Sequence, residues 1–530
     1  MSDIADVLII GAGAGGGAAA RELSGHGLSV VCLEQGRWHQ PAEFIGDKPQ
    51  LELQRLKQWS SDPNVRDAPS DYPINVAASD FNALNFNGVG GTTILYSGHW
   101  CRMLPCDFRV RTLDGVAEDW PIDYETLRPF YDEVARDVGV SGLAGDPAYP
   151  DEHEFPLPPL PIGRYGLRAA RGMDALGWHW WPAPNAIASR NFRNRHACQR
   201  FGACEQGCPA GAKGSTDLTH WRDAVAEGVV LITGARVCTI TTNRAGLVTG
   251  AEYIDMQGRT QHQRAQAVIV AASTVGTPRL LLNSGLANSS GLVGKNLMMH
   301  PYASVVGSYD EDMESWLGPL GQSLQSMQFY ETDTDRGFVR GAKWHLQPTG
   351  GPVARHLWEP DIPWTDQFGR GFHATTKRYL GCSADWGIVA EDLPQESNTV
   401  TLDAELTDGD GIPAPKLTYR VDENTRRLLD FHTARAVEAH EAAGAVSTTV
   451  VGLGRDSGWH MTGTARMGSD PSTSVVDEYC RSHDIANLYI MDGSVFVTSS
   501  GVNPTATIMA VALRAARRMA TFKEGQQVPL

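Results

Sequence analysis

The sequence predicts an α/β protein in which an α/β unit, divided between the two ends of the chain, is interleaved with a second, β-rich unit. Three observations predict it. A strand–glycine turn–helix–strand series opens the chain, a second apolar strand with its own glycine turn recurs near residue 270, and the composition changes between about Pro301 and Gly454. At 530 residues the chain is long enough for two or three domains.

The elements follow in order. "DVLII" (6–10) is a continuous apolar run of strand length, and "GAGAGGGAAARELSGHG" is a glycine turn entering an alanine-rich helix. "LSVVCLE" (28–34) is a second buried strand that ends in an acid. Residues 40–80 are polar, carry prolines and show no period, so they read as an excursion. "AVIVAA" (267–272) is another buried strand, followed by "STVGTPRLLLNSG", a turn entering a leucine-rich helix. From 301 to 454 polar and aromatic residues alternate, with Trp316, Trp344, Trp358, Trp364 and Trp386 spread through a β-rich stretch. "NLYIMDGS" (487–494) returns to strand and turn, and 503–520 reads as a helix with Pro504 in its first turn. Because α/β segments flank the β-rich one, the two units interleave.

Composition excludes several classes of function. Hydrophobic residues make up 42% and charged residues 20%, ordinary values for a globular protein. The net charge of −16, from 61 acidic and 45 basic residues with no basic run, argues against nucleic-acid or anionic-membrane partners. The opening "MSDIADVLIIGAGAGGG" lacks a basic n-region and its apolar run ends in glycines, as a buried strand does and a signal peptide does not. No apolar stretch approaches the ~18 residues of a membrane span. Nine cysteines without a signal peptide predict a reducing, cytoplasmic location and no disulfide framework.

Gly11, Gly13 and Gly16 form G-x-G-x-x-G directly between strand and helix, and Glu34 closes the second strand 23 positions after Gly11. The first glycine permits a tight turn, the second lets backbone approach a pyrophosphate, and the third lets helix and strand pack closely. The helix N-terminus then faces phosphates, and Glu34 can accept from ribose hydroxyls. The unit predicts a bound dinucleotide. By itself it does not separate NAD from FAD.

Five further stretches do. "NFNGVGGTTILYSG" (85–98), "EDWPIDYETLRPFYDE" (118–133), "VGKNLMMHP" (293–301), "GWHMTGTARMG" (458–468) and "NLYIMDGSVFVTSSGVNPT" (487–505) appear in this order. Together they resemble the glucose–methanol–choline (GMC) flavoprotein oxidoreductases, over residues 6 to about 520. The resemblance implies FAD, oxidation of an alcohol, and a Rossmann-like FAD-binding domain interleaved with an α+β substrate domain built on an antiparallel sheet. It places the FAD-binding domain at 1–40, 80–115, 195–300 and 455–530, and the substrate-binding domain at 116–194 and 301–454.

Oxidising a CH–OH group needs a base for the hydroxyl proton and an acceptor for the hydride, here flavin N5. His460, in H-x-x-G-T, matches the family base. Asn503, 43 positions later, matches the second member of the family pair and would hold the substrate oxygen through its amide. The helix starting at Asn503, Pro504 and Thr505 would turn its positive end toward the flavin N1–C2=O edge. Gly90, Gly91, Thr92, Val237 and Asp492 match further cofactor-contacting positions. In relatives with a GGTTWHWAG-like stretch, a histidine four positions after the second glycine can bond to the flavin. Here that position is Leu95, and His99 does not align with it, so FAD without a covalent link is expected.

"CQRFGACEQGCP" (198–209) leaves two readings open. It departs from the bacterial ferredoxin run C-x2-C-x2-C-x3-C-P at Phe201. Some sugar dehydrogenase subunits of the family carry C-x5-C-x3-C, the spacing of Cys198, Cys204 and Cys208, and hold a 3Fe–4S cluster on it. In other members such a loop packs its thiols as small apolar groups near the flavin. The expectation is packing and no metal; the alternative is a catalytic subunit passing electrons to a redox partner subunit. "WHWW" (178–181), Cys101 and Cys106 are likewise read as packing. The expected function is FAD-dependent oxidation of a small-molecule alcohol, a sugar, glycoside or bulky secondary alcohol, with dioxygen or a small acceptor taking the electrons. An NAD(P)-dependent reductase and a non-catalytic flavoprotein scaffold are the readings from other classes.

Overall fold

The computed structural model describes residues 4–151, 153–351 and 368–521. Trp358 and Trp364 lie outside the described residues. Among those described, a seven-stranded sheet forms the first unit. Ile4–Ile10 pairs in parallel with Val30–Glu34 on one side and Thr260–Val270 on the other. Val230–Thr233 and Leu488–Ile490 extend the parallel core. Val7, Leu8 and Ile9 are fully buried, and side chains of this kind each contribute about 1.5–3 kcal/mol by leaving water. The opposite end of the 11-residue strand Thr260–Val270 turns antiparallel and pairs with Val248–Ile254, which pairs with Arg236–Thr242.

Helix Ala14–Gly25 follows the first strand and packs on helix Thr505–Thr521. Arg517 ties this pair to a third helix, donating to Glu22 and to Glu133 of Tyr124–Val138. The expected second-unit segment 116–194 therefore divides. Tyr124–Val138 joins the core of the parallel sheet, whereas Gly163–Leu176 covers the other sheet.

That other sheet is six-stranded and antiparallel, ordered Ser447–Val451, Tyr302–Ser308, Ser383–Ala390, Ala342–Gln347, Leu324–Ser326 and Trp181–Pro182. Strand alternation gives its two faces different chemistry. Val305, Trp344, Leu346, Trp386 and Ile388 point into an apolar core under helices Gly163–Leu176 and Glu423–Ala442. Tyr302, Ser304, Lys343, His345 and Gln347 occupy the alternate positions. The stretch 40–80 holds short helical turns and the strand Asn75–Ser79, which pairs in parallel with Pro413–Tyr419 in a small third sheet.

Candidate active site

A cleft of about 590 Å³ connects the glycine turn of the first sheet to the polar face of the second. At its first end, Glu34 is buried and accepts from the backbone N–H of Ala12 and of Gly36, both at 2.8 Å. Burial pushes its carboxyl above the ordinary carboxylate range, and the two N–H donors pull the other way. Each carboxylate oxygen keeps a lone pair for a ribose hydroxyl.

The glycines differ in what surrounds them. A Cβ on Gly15 would sit 1.8 Å from the Met491 carbonyl oxygen, so the helix and the returning chain need a glycine there. A Cβ on Gly13 would meet no protein atom within 4 Å, although the cleft is lined by residues on both sides of it. Protein packing does not demand that glycine, and the open space beside it is room for a ligand. This cradle, the adjoining helix N-terminus and Glu34 fit the pyrophosphate and adenosine ribose of FAD.

Gly11, Gly91, Thr92, Val237, Asp492, Asn503, Pro504 and Thr505 line the same cleft. Gly16 and Gly90 stand behind it: Gly16 packs against the carbonyl of Gly11, and the Gly90 N–H donates to Ala12 O at 2.8 Å. Leu95 also lines the cleft, as an apolar wall with no nucleophile. Asp492 accepts from the hydroxyls of Ser494 and Thr277 and holds the turn before the last helix.

At the other end His460 and Asn503 meet. Asn503 Nδ2 lies 3.1 Å from His460 Nε2, and Asn503 Oδ1 accepts from Lys343 Nζ at 2.6 Å. His460 Nδ1 lies 3.0 Å from His300 Nδ1, and His300 Nε2 faces the carbonyls of Ser500 at 2.8 Å and Ser499 at 3.2 Å. The partners assign the tautomers. Carbonyls only accept, so His300 carries its proton on Nε2 and its Nδ1 accepts. His460 therefore donates from Nδ1, and its Nε2 carries the lone pair toward Asn503 and the cleft.

The surroundings disfavour the charged form of both imidazoles. Burial holds His460 well below the ordinary imidazole range, and His300, Lys343 and His345 lower it further. Burial brings His300 down to about 4. His460 adopts φ = 60°, a left-handed backbone conformation that a bulky side chain rarely takes, and the surrounding hydrogen bonds maintain it.

His300, Lys343, His99 and His345 complete this cluster, and sequence reasoning assigned none of them a role. His99 Nδ1 stands 3.4 Å from Lys343 Nζ, and the His99 and His345 rings meet edge to face at 4.5 Å. Signals for two of them were present. "VGKNLMMHP" contains His300, and the alternation in "AKWHLQ" puts 343, 345 and 347 on one strand face.

Family models for GMC oxidoreductase match residues 169–302 and 394–512, and a model of an FAD binding domain matches 6–40. The chain is 41% identical over 532 residues to 2-methyl-1,2-propanediol dehydrogenase of Mycolicibacterium austroafricanum, across 97% of this chain and 95% of that protein. This chain is a GMC oxidoreductase. It is similar at 29% identity to the fructose dehydrogenase large subunit of Gluconobacter japonicus, across 97% of both chains. Formate oxidase of Aspergillus oryzae has the same fold, with a TM-score of 0.64 at 15% identity over 99% of each chain. The GMC oxidoreductase is thus an FAD-dependent enzyme of mixed α/β fold, and among its described residues no helix is long and apolar enough to cross a membrane.

The three-cysteine loop of this GMC oxidoreductase leans on the cofactor loop. Lys213 is buried and donates to the carbonyls of Ile94 at 2.7 Å, Tyr96 at 2.8 Å and Cys204. Burial raises the Cys198 thiol and pushes Cys204 up to about 12, with the neighbouring thiols adding to the effect. Among the described residues no group of three or more His, Cys, Asp or Glu side chains is arranged to hold a metal ion. Elsewhere Trp178 packs edge to face on Phe329 and Trp344. Cys101 is buried 3.6 Å from Lys343 Nζ, so it adjoins the histidine–lysine cluster as well as the packing.

Proposed function

We propose that this enzyme oxidises the CH–OH group of a polyhydroxy compound, with His460 Nε2 taking the hydroxyl proton. The observation that carries this reading is the hydrogen-bond chain from Ser500 through His300 to His460. It fixes the imidazole lone pair on Nε2 at the cleft, where a substrate hydroxyl would take the place of the Asn503 N–H that now donates to it. Bound FAD supplies the acceptor for the hydride. Asn503 turns its N–H toward the same spot, so the substrate oxygen is held between an amide donor and the base. A neutral buried base next to a buried cation suits an alkoxide, because the proton leaves to His460 while positive charge stays nearby. We read the parallel-sheet unit as the FAD-binding domain and the antiparallel unit as the substrate domain.

The substrate class rests on the sheet face that closes the cleft. Tyr302, Ser304, His345 and Gln347 line it, and Gln347 Nε2 donates to the Tyr302 hydroxyl at 3.2 Å. Such a floor matches several hydroxyls better than a long apolar chain. The names of the relatives agree: 2-methyl-1,2-propanediol, fructose and, at 30% identity, 6'''-hydroxyparomomycin C all appear in them. A diol or a sugar-like polyol is therefore the proposed substrate. We assign reoxidation to dioxygen or a small acceptor and expect a reducing compartment, in line with nine free thiols.

A second reading comes from the spacing of Cys198, Cys204 and Cys208 and from the relative whose name makes it a large subunit. In that reading the chain is the catalytic subunit of an iron–sulfur dehydrogenase. Anaerobic mixing of the holoenzyme with 1,2-diols, sugars, simple alcohols and aryl alcohols tests the primary proposal. Diols or sugars should bleach the flavin fastest. Bleaching by simple or aryl alcohols alone would reject the polyol class, and bleaching by none would reject alcohol oxidation.

A further inference from the structure

Lys343 is fully buried, and its position is unusual for a cation. Its Nζ lies 2.6 Å from Asn503 Oδ1, 2.9 Å from Gln322 Oε1, 3.4 Å from His99 Nδ1 and 3.6 Å from Cys101 Sγ. None of these partners is a carboxylate, and among the described residues Lys343 makes no ion pair. A buried lysine usually either finds an anion or gives up its proton.

The donor count argues for the charged form. Gln322 spends its Nε2 on the Pro184 carbonyl at 2.9 Å and on Cys101, so its Oε1 is the atom turned to Lys343. Asn503 likewise spends its Nδ2 on His460. His99 Nδ1 is an acceptor whenever the ring carries its proton on Nε2. Two amide oxygens, Asn503 Oδ1 and Gln322 Oε1, can only accept and so match two N–H bonds of an ammonium, with Cys101 Sγ and His99 Nδ1 around the third. These contacts oppose the lowering that burial imposes on Lys343.

We propose that Lys343 is a positioning residue of the oxidation: its ammonium holds the Asn503 amide with N–H toward His460 and places a fixed positive charge beside the surrounding imidazoles. The proposal rests on the reading of His460 as the base. Without the ammonium, only the His460 lone pair would hold the Asn503 amide in this orientation, and once His460 took up a proton nothing would keep the amide oxygen from turning toward it. The charge acts on the whole cluster, since Lys343 lowers His99, His300, His345 and His460 alike, after burial. The groups facing it are His99 and Cys101 from the loop behind the cofactor, Gln322 from the turn before Leu324–Ser326, His345 from its own strand, and Asn503 with His460 and His300 beyond.

The test uses the holoenzyme with Lys343→Gln, which keeps an amide donor but no charge, and Lys343→Met, which keeps the stem's length. Without substrate, the oxidised flavin band is titrated with acid to find where the neighbouring imidazole protonates. The acidic limb of the kcat/KM profile is measured in parallel. Both transitions should move up by about one pH unit in the neutral variants, the effect of removing one nearby like charge. Below the limb the loss in kcat/KM should then be about tenfold greater than above it. Lys343→Arg should return both transitions toward the wild-type position. If both neutral variants lose flavin and Lys343→Arg retains it, the charge is needed for the site, which also supports the proposal. Unmoved transitions in flavin-replete neutral variants would overturn it, as would loss of flavin from all three. The flavin titration requires no turnover, so it judges Lys343 separately from the identity of the base.

Discussion

His300 Nδ1 lies 3.0 Å from His460 Nδ1, and this contact decides which nitrogen of His460 is free to act. Two imidazoles can face each other through Nδ1 only if one donates and the other accepts. The carbonyls of Ser499 and Ser500 settle the direction by taking the Nε2 proton of His300. The lone pair of His460 is thereby fixed on Nε2, beside the Asn503 amide. His300, itself in the cleft lining, thus fixes which nitrogen of His460 carries the lone pair.

Removing the base and removing its support should have separable effects. His460→Ala should retain FAD and lose about 10²–10⁴-fold in the rate of flavin reduction, measured by anaerobic stopped flow. His300→Ala leaves the base in place but lets its tautomer vary, so a smaller loss of about 10- to 100-fold in kcat is expected, with KM little changed. Asn503→Ala should also keep FAD and should raise KM more than His300→Ala does. Near-normal reduction by the His460 variant would remove the base assignment.

Gly13 and Gly15 separate ligand space from protein packing. Gly13→Ala adds a methyl group that touches no protein atom, so the chain should fold with unchanged circular dichroism yet bind FAD at least about tenfold more weakly. Gly15→Ala drives a methyl group to 1.8 Å from the Met491 carbonyl and should lower the yield of folded protein itself. Full flavin content in purified Gly13→Ala would mean that the cradle faces no phosphate.

Some of this organisation was legible in the sequence and some was not, for a physical reason. The strand, glycine turn, helix and Glu34 are neighbours in the chain, so local periodicity reveals them. His460 and Asn503 are visible only through motifs, because nothing in a lone histidine's neighbours marks it as a base. The contacts of His300 with His460 and of Lys343 with Asn503 each close a span of 160 residues, and those of His99 with Lys343 close 244. No local period reports pairings of that length. Asn75–Ser79 was hidden for the same reason, since its partner strand is Pro413–Tyr419. The division of 116–194 between two cores was also out of reach, because both of its helices are amphipathic and neither pattern names its partner.

The depressed imidazoles set two pH dependences of the same sign. In the proposed mechanism His460 must be neutral to take a proton, and burial holds its folded-state value well below 6.5. Activity should therefore stay level as pH falls through 6.5 and should drop only at more acidic pH. Stability behaves differently. His99, His300, His345 and His460 bind protons less readily folded than unfolded, so stability is full above the unfolded value near 6.5 and declines as pH falls below it. Each such residue contributes at most about 1.4 kcal/mol per pH unit. Buried Asp217, Glu391 and Asp392, raised to about 6, 7 and 8, contribute with the opposite sign over the same interval, so the check is a difference. Between pH 6.5 and pH 5 the Tm of His345→Gln should fall less than that of the unaltered enzyme, and an equal fall in both would contradict the burial of this ring.

Leu95 at the wall of the cofactor cleft has no atom able to bond to a flavin. Acid precipitation of the purified enzyme should release all yellow colour to the supernatant. Colour held in the pellet would point to His99, whose ring lies in the cleft lining.

The final prediction concerns iron. Cys198, Cys204 and Cys208 have the spacing of a three-cysteine cluster site, yet Phe201 stands where a four-iron site would have its second ligand. A thiol binds iron as thiolate, and burial works against thiolate at both Cys198 and Cys204. Lys213 beside Cys204 and Arg200 beside Cys198 offer compensating charge, but Lys213 turns its donors to three carbonyls and Arg200 Nε donates to the Gly318 carbonyl. These observations favour thiols packed behind the cofactor loop. Protein purified without oxygen should accordingly contain flavin and no stoichiometric iron or sulfide, with an absorption spectrum of flavin bands alone. Cys204→Ser should then keep its flavin and its rate of reduction by substrate. About three irons per flavin, with a low-temperature EPR signal of the oxidised protein that disappears in Cys204→Ser, would reverse this conclusion. The enzyme would then be a dehydrogenase subunit, and the Cys198–Cys208 loop would be the route by which electrons leave it.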